Sequence, residues 1–475
     1  MKKYWILLAL CGSGAAQPVF TGIFPPEEFA SRRSRVMEKI GDGAAILLGT
    51  TEPPGEMPLR QGNQFFYLSG VVEPRAILVI DGKTKRSTLF LNPRNAQREA
   101  SMYGPGLSPG DDAAKTTGID SVLPRADFQA AVDNLAREGR ALYIPFRAEV
   151  LGSISSGDPD RLWAANKADP WDGRTSREQA FLAHLKEKAP NCDVRNLDPI
   201  LDAMRGIKSP REIAVIREAT RIAGLGIMEA MRDAQPGMFE YELQADSEFV
   251  FKKYGAFGAA YFALIGAGPN TYYTHYHRNT AKLQDGDLVQ FDYAPDYKYY
   301  QSDVTRVFPA NGKLTPWQRE YYGIYLQLYR AVMTSIKVHT APRDIVKDAV
   351  VKMDSIMAAY KFTDDKIKNA AQKFVENYRR QQARTTSLGH GVGMEVHDVR
   401  MPTDTLEPGE IFTIEPEMRI EEDHLGLRLE DMLLITDTGY ENLSGFVPIE
   451  IADIEKLMAD RKHGLSAAHS TLPGK

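Results

Sequence analysis

Cysteine is nearly missing from this chain: its 475 residues include two, Cys11 and Cys192. Cys11 falls in a stretch that reads as a removable leader. Cys192 would then stand alone in the mature protein, which excludes an intrachain disulfide and any cysteine-built metal site. A metal would have to be held by histidine and carboxylates. A large excess of either charge sign is missing too. The formal net charge is -5, and lysine and arginine are scattered without a block. A nucleic-acid or anionic-membrane partner needs a concentrated basic face, so neither is expected. Beyond the first residues no apolar run approaches the roughly 18 residues that span a bilayer, and no membrane span is expected. What is present is an apolar fraction of 43% and a charged fraction of 25%. That is the balance of a folded globular protein, in a chain too long for one ordinary core.

The leader reading rests on Lys2 and Lys3, the apolar run from Tyr4 to Leu10, and small residues through Ala16. This order is that of a secretory signal cleaved near Ala15 or Ala16, which implies a periplasmic or extracellular protein. Leu10 is bulky where a lipoprotein site before Cys11 would carry a small residue.

Residues 17–200 read as an α/β domain. A charged helix from Phe29 to Ile40 precedes short apolar runs at Ala44 to Leu48, Phe65 to Leu68, Ala76 to Ile80, Ser87 to Leu91 and Ala141 to Pro145. Gly, Pro and Asp punctuate them, and strands are expected there. Ser153 to Arg177 reads as an irregular excursion. Ser209-Pro210 starts an amphipathic helix, with Ile213, Ile216, Ala219, Ile222 and Ala223 at helical spacing. A second domain is expected over 201–460, followed by a disordered tail at 461–475. It should carry strands at Leu288 to Tyr293, Ser302 to Pro309, Phe412 to Ile414 and Leu427 to Ile435. A helical region from Pro316 to about Arg380 should break near Pro342 and Phe362.

Five residues of this second domain sit where an ionisable group is costly. Asp292 ends an apolar run, and Asp303 follows it by eleven residues, before another run. His390 lies between glycines in Gly389-His390-Gly391. Glu415 and Glu430 lie in Thr413-Ile414-Glu415-Pro416 and Leu427-Arg428-Leu429-Glu430. Taken singly, each has an ordinary reading: a solvated strand end, a flexible loop, an edge-strand ion pair. Together, four carboxylates and an imidazole in apolar or glycine-rich settings would be prohibitive if buried without cations. A pair of divalent ions offsets that charge, and an oxygen-rich shell suits Mn²⁺, with Zn²⁺ and Co²⁺ as alternatives.

These segments resemble the pita-bread metallopeptidases, in particular aminopeptidase P, with prolidase a near relative. The matching stretches are Gly286 to Asp292, Ser302 to Pro309, Gly389 to Gly393, Thr413 to Pro416 and Gly426 to Asp431, in the family's order and spacing. Gly268-Pro269-Asn270 with His275-Tyr276 fits as well, and Phe29 to Arg33 and Arg60 to Gly70 resemble the aminopeptidase P N-terminal domain. The resemblance implies an α+β fold, with a pita-bread catalytic domain behind an α/β domain of the aminopeptidase P and creatinase type. It implies two divalent ions on Asp292, Asp303, His390, Glu415 and Glu430. It gives catalytic roles to Glu415, to His275 and His397 beside the metals, and to Arg428 as a positioning group. The implied substrates are peptides with proline second, and the implied assembly is a homo-oligomer, dimer or tetramer. A prolidase-type dipeptidase and a non-catalytic pita-bread binding protein are the competing readings. Four positions depart from the family pattern: Thr386 stands where a histidine is usual, Tyr293 replaces a small residue, Glu417 a glycine and Arg419 an aromatic.

Overall fold

The computed structural model describes residues 23–53, 57–93, 97, 106–150, 158–399 and 403–460. The expected leader at 1–16 and tail at 461–475 lie outside them. The chain forms two compact units, one of Met1–Glu149 with Leu162–Leu201, the other of Val150–Arg161 with Asp202–Lys475.

The first unit is built on a six-stranded mixed sheet of β1 (Ala44–Leu48), β2 (Ile77–Asp81), β3 (Arg86–Leu91), β4 (Ser121–Pro124), β5 (Leu142–Ile144) and β6 (Val194–Asn196). Their order is β4-β3-β2-β1-β5-β6, antiparallel through β1, β2 and β3 and parallel toward both edges. Ile46, Ile77, Val79, Phe90, Leu142 and Ile144 form one core cluster with Val132, Leu135 and Leu185 of the helices Phe128–Arg137 and Arg177–Lys188. Two expectations fail here. Phe65 to Leu68 is helical, within Asn63–Ser69. A short unbroken apolar run fits a helix as well as a strand, and Gly70 decides it: at φ 66° its N–H caps Phe66 O at 2.8 Å. The stretch from Ser153 to Arg177 is not irregular throughout, because Asp158–Ala168 is a helix.

In the second unit Ser209 caps the helix Pro210–Asp233, with Glu212 completing a capping box. The expected helical region resolves into Pro316–Met333, Pro342–Ala359 and Asp365–Gln381, each of the first two opening on its proline. The strands are β7 (Gly258–Ala259), β8 (Leu264–Ala267), β9 (Leu288–Asp292), β10 (Pro295–Tyr297), β11 (Tyr300–Gln301), β12 (Thr305–Pro309), β13 (Ile411–Ile414), β14 (Glu417–Ile420), β15 (Leu425–Arg428), β16 (Asp431–Thr436) and β17 (Gly439–Asn442). They form sheets ordered β12-β9-β8, β11-β10-β7, β13-β16-β17 and β14-β15. The single strand expected over Leu427 to Ile435 is instead two. It breaks at Leu429 and Glu430, where the chain leaves β14 as a partner and takes up β13. Strand ends and this break are where the chemistry gathers.

Candidate metal centre

Backbone pairing sets the five residues around one point. Asp292, the last residue of β9, pairs with Thr305 of β12, and Asp303 lies just ahead of that strand. Thr305 bridges in turn to Glu430. Ile414 opposes Asp431, so Glu415 and Glu430 emerge side by side from the paired ends of β13 and β16. His390 reaches the same point because its backbone crosses Thr413 closely. A Cβ on Gly389 would lie 1.9 Å from Thr413 O, so only glycine allows the approach.

The side chains converge. His390 Nε2 is 3.1 Å from Glu415 Oε1, 3.4 Å from Asp303 Oδ2 and 3.9 Å from Glu430 Oε1. Ligand atoms of Asp292, Asp303 and Glu430 lie within 4.8 Å of one another, as do those of His390, Glu415 and Glu430, and those of Asp303, His390 and His397. The first two groups share Glu430, and the first and third share Asp303.

Electrostatics shows what such a cluster lacks. Asp292, Asp303 and Glu430 are buried. Burial, then the charges of Asp292 and Glu415, push the Asp303 carboxyl up to about 8. Burial and the charges of Asp303, Glu415 and Asp292 hold Glu430 well above the usual carboxylate range. Burial also disfavours charge on His390, but its hydrogen bond to Glu415 and the charges of Glu415 and Asp303 outweigh that and push it up to about 9. Glu415 is half-buried; the same hydrogen bond, with the charges of His390, Arg428 and His397, overcomes desolvation and keeps it low. Glu430 Oε1 is buried without a hydrogen-bond partner. An unpartnered carboxylate oxygen among three other carboxylates and one imidazole is a donor set that fits divalent cations.

The other sequence-predicted residues divide. Arg428 is buried and reaches Asp292 Oδ2, with Nη1 at 3.9 Å from Glu415 Oε2. The His397 ring lies 4.0 Å from that of His390, centroid to centroid. The two are brought together by the bridge between Gly391 and Asp398, which adjoins both. His275 is exposed, and among the described residues no hydrogen bond, ion pair or ring contact joins its side chain to the five.

Three tyrosine roles were missed. The Tyr261 hydroxyl lies 2.5 Å from Asp292 Oδ1 and 2.6 Å from Asp303 Oδ1. Burial and those two charges hold its pKa well above 10.0, so it stays a donor, serving one carboxylate at a time. Tyr325, on the Pro316–Met333 helix, donates to Pro416 O at 2.7 Å and accepts from Leu429 N at 2.6 Å. It thereby pins the residues next to Glu415 and Glu430. Tyr329, one turn on, donates to Asp431 at 2.6 Å. The only signal in the sequence is the i, i+4 spacing of Tyr321, Tyr325 and Tyr329, which puts them on one helix face and says nothing of their hydroxyls.

Residues 214–437 match the model of metallopeptidase family M24, and residues 29–143 match that of the aminopeptidase P N-terminal domain. The chain is 32% identical over 453 residues to Xaa-Pro aminopeptidase of Escherichia coli K12, covering 91% of this chain and 97% of that protein. The chain belongs to the aminopeptidase P branch of the M24 metallopeptidases. Among solved structures, proline aminopeptidase P II from Yersinia pestis superposes with a TM-score of 0.70 at 30% identity, covering 91% of this chain and 99% of that one. Zn-substituted E. coli aminopeptidase P in complex with product gives a TM-score of 0.71 at 28% identity, covering 92% and 98%. The fold expected from the sequence, a catalytic α+β domain of this family behind an aminopeptidase P N-terminal domain, is the one found.

Proposed function

We propose that this chain is a metal-dependent aminopeptidase that releases the first residue of peptides whose second residue is proline. The observation that carries the reading is the convergence of Asp292, Asp303, His390, Glu415 and Glu430 into overlapping ligand groups, in a chain with Xaa-Pro aminopeptidases as relatives over nearly its whole length. Asp303, Glu430 and His390 each belong to two of those groups, and of these the two carboxylates, each with two oxygens to offer, would serve both ions of a divalent pair. Asp292 would complete one site, and His390 and Glu415 the other. Mn²⁺ suits the oxygen-rich set best, with Zn²⁺ and Co²⁺ as alternatives. Such a pair, when bound, supplies an activated water and an electrophile for the peptide carbonyl.

The chain's own groups do the rest. Glu415 is the most exposed of the four carboxylates, which suits it to accept a proton and pass it to the leaving nitrogen. Arg428 fixes Asp292 and Glu415 against each other. To His397, whose ring lies against that of His390, this reading assigns the orienting of the substrate carbonyl, and to exposed His275 a hydrogen bond to the developing oxyanion. Proline suits such a site because its imide nitrogen carries no N–H that would need an acceptor.

A peptide panel tests this reading. With added Mn²⁺, a tripeptide with proline second should be cleaved, and a proline-free peptide should not. Preferential cleavage of an Xaa-Pro dipeptide would move the assignment to the prolidase type. Loss of proline selectivity would end it.

Export and assembly complete the proposal. Lys2, Lys3, the run from Tyr4 to Leu10 and the small residues through Ala16 support a mature chain beginning near Ala16 or Gln17, in a periplasmic or extracellular space. Mass spectrometry of the protein from its native host tests this, and an intact Met1-Lys2-Lys3 terminus would refute it. A homo-oligomer, dimer or tetramer, is the assembly proposed; sedimentation of the metal-loaded protein as a monomer would refute it.

A further inference from the structure

β14 carries two of the residues that depart from the family pattern, Glu417 and Arg419, and alternation puts both on its less buried face. They do not form an isolated surface pair. Glu417 Oε1 lies 3.5 Å from Arg428 Nη1. Glu417 Oε2 accepts from Arg419 Nη2 and, at 3.2 Å, from Thr274 Oγ1. Arg428 also reaches Asp292 and Glu415, so Arg419 is joined to the centre through Glu417 and one further arginine. Thr274 precedes His275, and both are held here because the turn Gly268–Tyr272 packs tightly on β15. A Cβ on Gly426 would lie 2.4 Å from Thr271 O.

The Arg419 guanidinium is ordered and yet underused. It lies 5.3 Å from the centroid of the Tyr272 ring, which stacks in turn on His424 at 5.2 Å. Of its three nitrogens, the hydrogen bonds to Thr274 and Glu417 employ Nη2 alone, and the side chain is 36% exposed. Among the described residues no hydrogen bond employs the Nε–H or Nη1–H donors. Glu417 does not neutralise it alone, since that carboxylate is shared with Arg428.

We propose that Arg419 is a specificity-determining residue that takes the free C-terminal carboxylate of a short peptide substrate. The assignment rests on the aminopeptidase reading and narrows it to peptides of two or three residues. A guanidinium presents a planar fork that matches a carboxylate with two parallel hydrogen bonds. An aromatic side chain at the same place offers neither the fork nor the charge. Because Tyr272, Thr274 and Glu417 already hold the group, little side-chain freedom is lost when a ligand arrives. The reach is right too. Arg419 is four residues past Glu415, roughly 13 Å of extended chain, and its side chain turns back toward Glu417. Each substrate residue spans about 3.5 Å, so a terminal carboxylate one or two residues beyond the cleaved bond comes within range.

The test compares the free acid and the C-terminal amide of one tripeptide with proline second, using the full, metal-loaded chain. For the unaltered protein kcat/KM should favour the free acid by about tenfold, mainly through KM, as expected for a charge-assisted pair in a partly exposed site. Arg419→Gln should bring the two substrates to near-equal kcat/KM, and Arg419→Lys should keep part of the preference, since it retains charge without the fork. Equal hydrolysis of acid and amide by the unaltered protein overturns this assignment and leaves the aminopeptidase reading standing. So does an Arg419→Gln variant that keeps the preference in full. Hydrolysis of neither peptide overturns both.

Discussion

Glu430 and Asp431 are neighbours in the chain and equally buried, at 1% exposure each, yet their surroundings are opposite. Asp431 accepts from Arg306 Nη2 at 2.7 Å, Tyr329 OH at 2.6 Å and Ser444 Oγ at 2.6 Å. Burial alone would raise its pKa, but Arg306, Ser444 and Tyr329 more than offset that and hold it below the usual range. Glu430 accepts from Thr305 Oγ1 at 2.7 Å, leaves Oε1 without a hydrogen-bond partner, and faces Asp303, Glu415 and Asp292. One carboxylate is complete within the protein. The other is complete only when a cation arrives. Burial therefore does not separate a structural acid from a metal ligand, but an inventory of partners does.

The comparison can be broken by mutation. Glu430→Ala should abolish turnover while the metal-free chain stays folded, because the deletion removes repulsion along with a ligand. Peptide hydrolysis and circular dichroism together check this. Substantial residual activity would show that Glu430 is no ligand. Asp431→Asn should do the reverse and act on stability. It leaves the buried Arg306 guanidinium short of its counter-charge, at a cost of roughly 3–5 kcal/mol, readable from urea unfolding in chelator. A change within ±0.5 kcal/mol would contradict the structural role.

Between these two lies His397, which contacts His390 but belongs to only one of the three ligand groups. His397→Ala should keep the metals and lose about 2–4 kcal/mol of transition-state stabilisation, as for a lost oxyanion-type donor. Metal content measured beside kcat decides it, and loss of metal would make His397 a ligand.

The sequence made Asp292, Asp303, His390, Glu415 and Glu430 readable because an ionisable residue in an apolar run stands out. Apolar context alone does not distinguish Glu430 from Asp431, since both sit at the same edge of the same run; the resemblance to the family does. The break at Leu429 was hidden for a related reason: the run is apolar on both sides, and what divides it is a change of partner strand with Tyr325 capping Leu429 N. Tyr261, Tyr325 and Tyr329 were not singled out, because an aromatic in an apolar context shows its ring and not the use of its hydroxyl. In the first unit, Phe65 to Leu68 was expected as a strand because its unbroken apolar run outweighed Gly70, which caps a helix instead.

The smallest effect concerns pH. A carboxyl whose folded pKa is raised adds stability at acid pH and loses it as pH climbs toward the folded value. For Asp303 that window runs from the ordinary carboxylate value of 3.8 to about 8. His390, raised from 6.5 to about 9, acts in the same direction across the upper part of the range. Asp431, with its lowered pKa, adds stability that is lost only as pH falls through the ordinary carboxylate range. The metal-free chain should therefore lose stability between about pH 5 and pH 8. The loaded chain should not, because metal binding tightens as its ligands deprotonate. Thermal unfolding in chelator and in Mn²⁺ across that range checks the sign, and a metal-free chain that gains stability would refute it.

The central claim is that Glu430 and its four companions are unfinished without cations. Elemental analysis of the full chain, loaded with Mn²⁺ and freed of excess, tests it most directly. The account predicts two ions per chain, and loss of the pair in Glu430→Ala. One ion or none in the unaltered protein would contradict it.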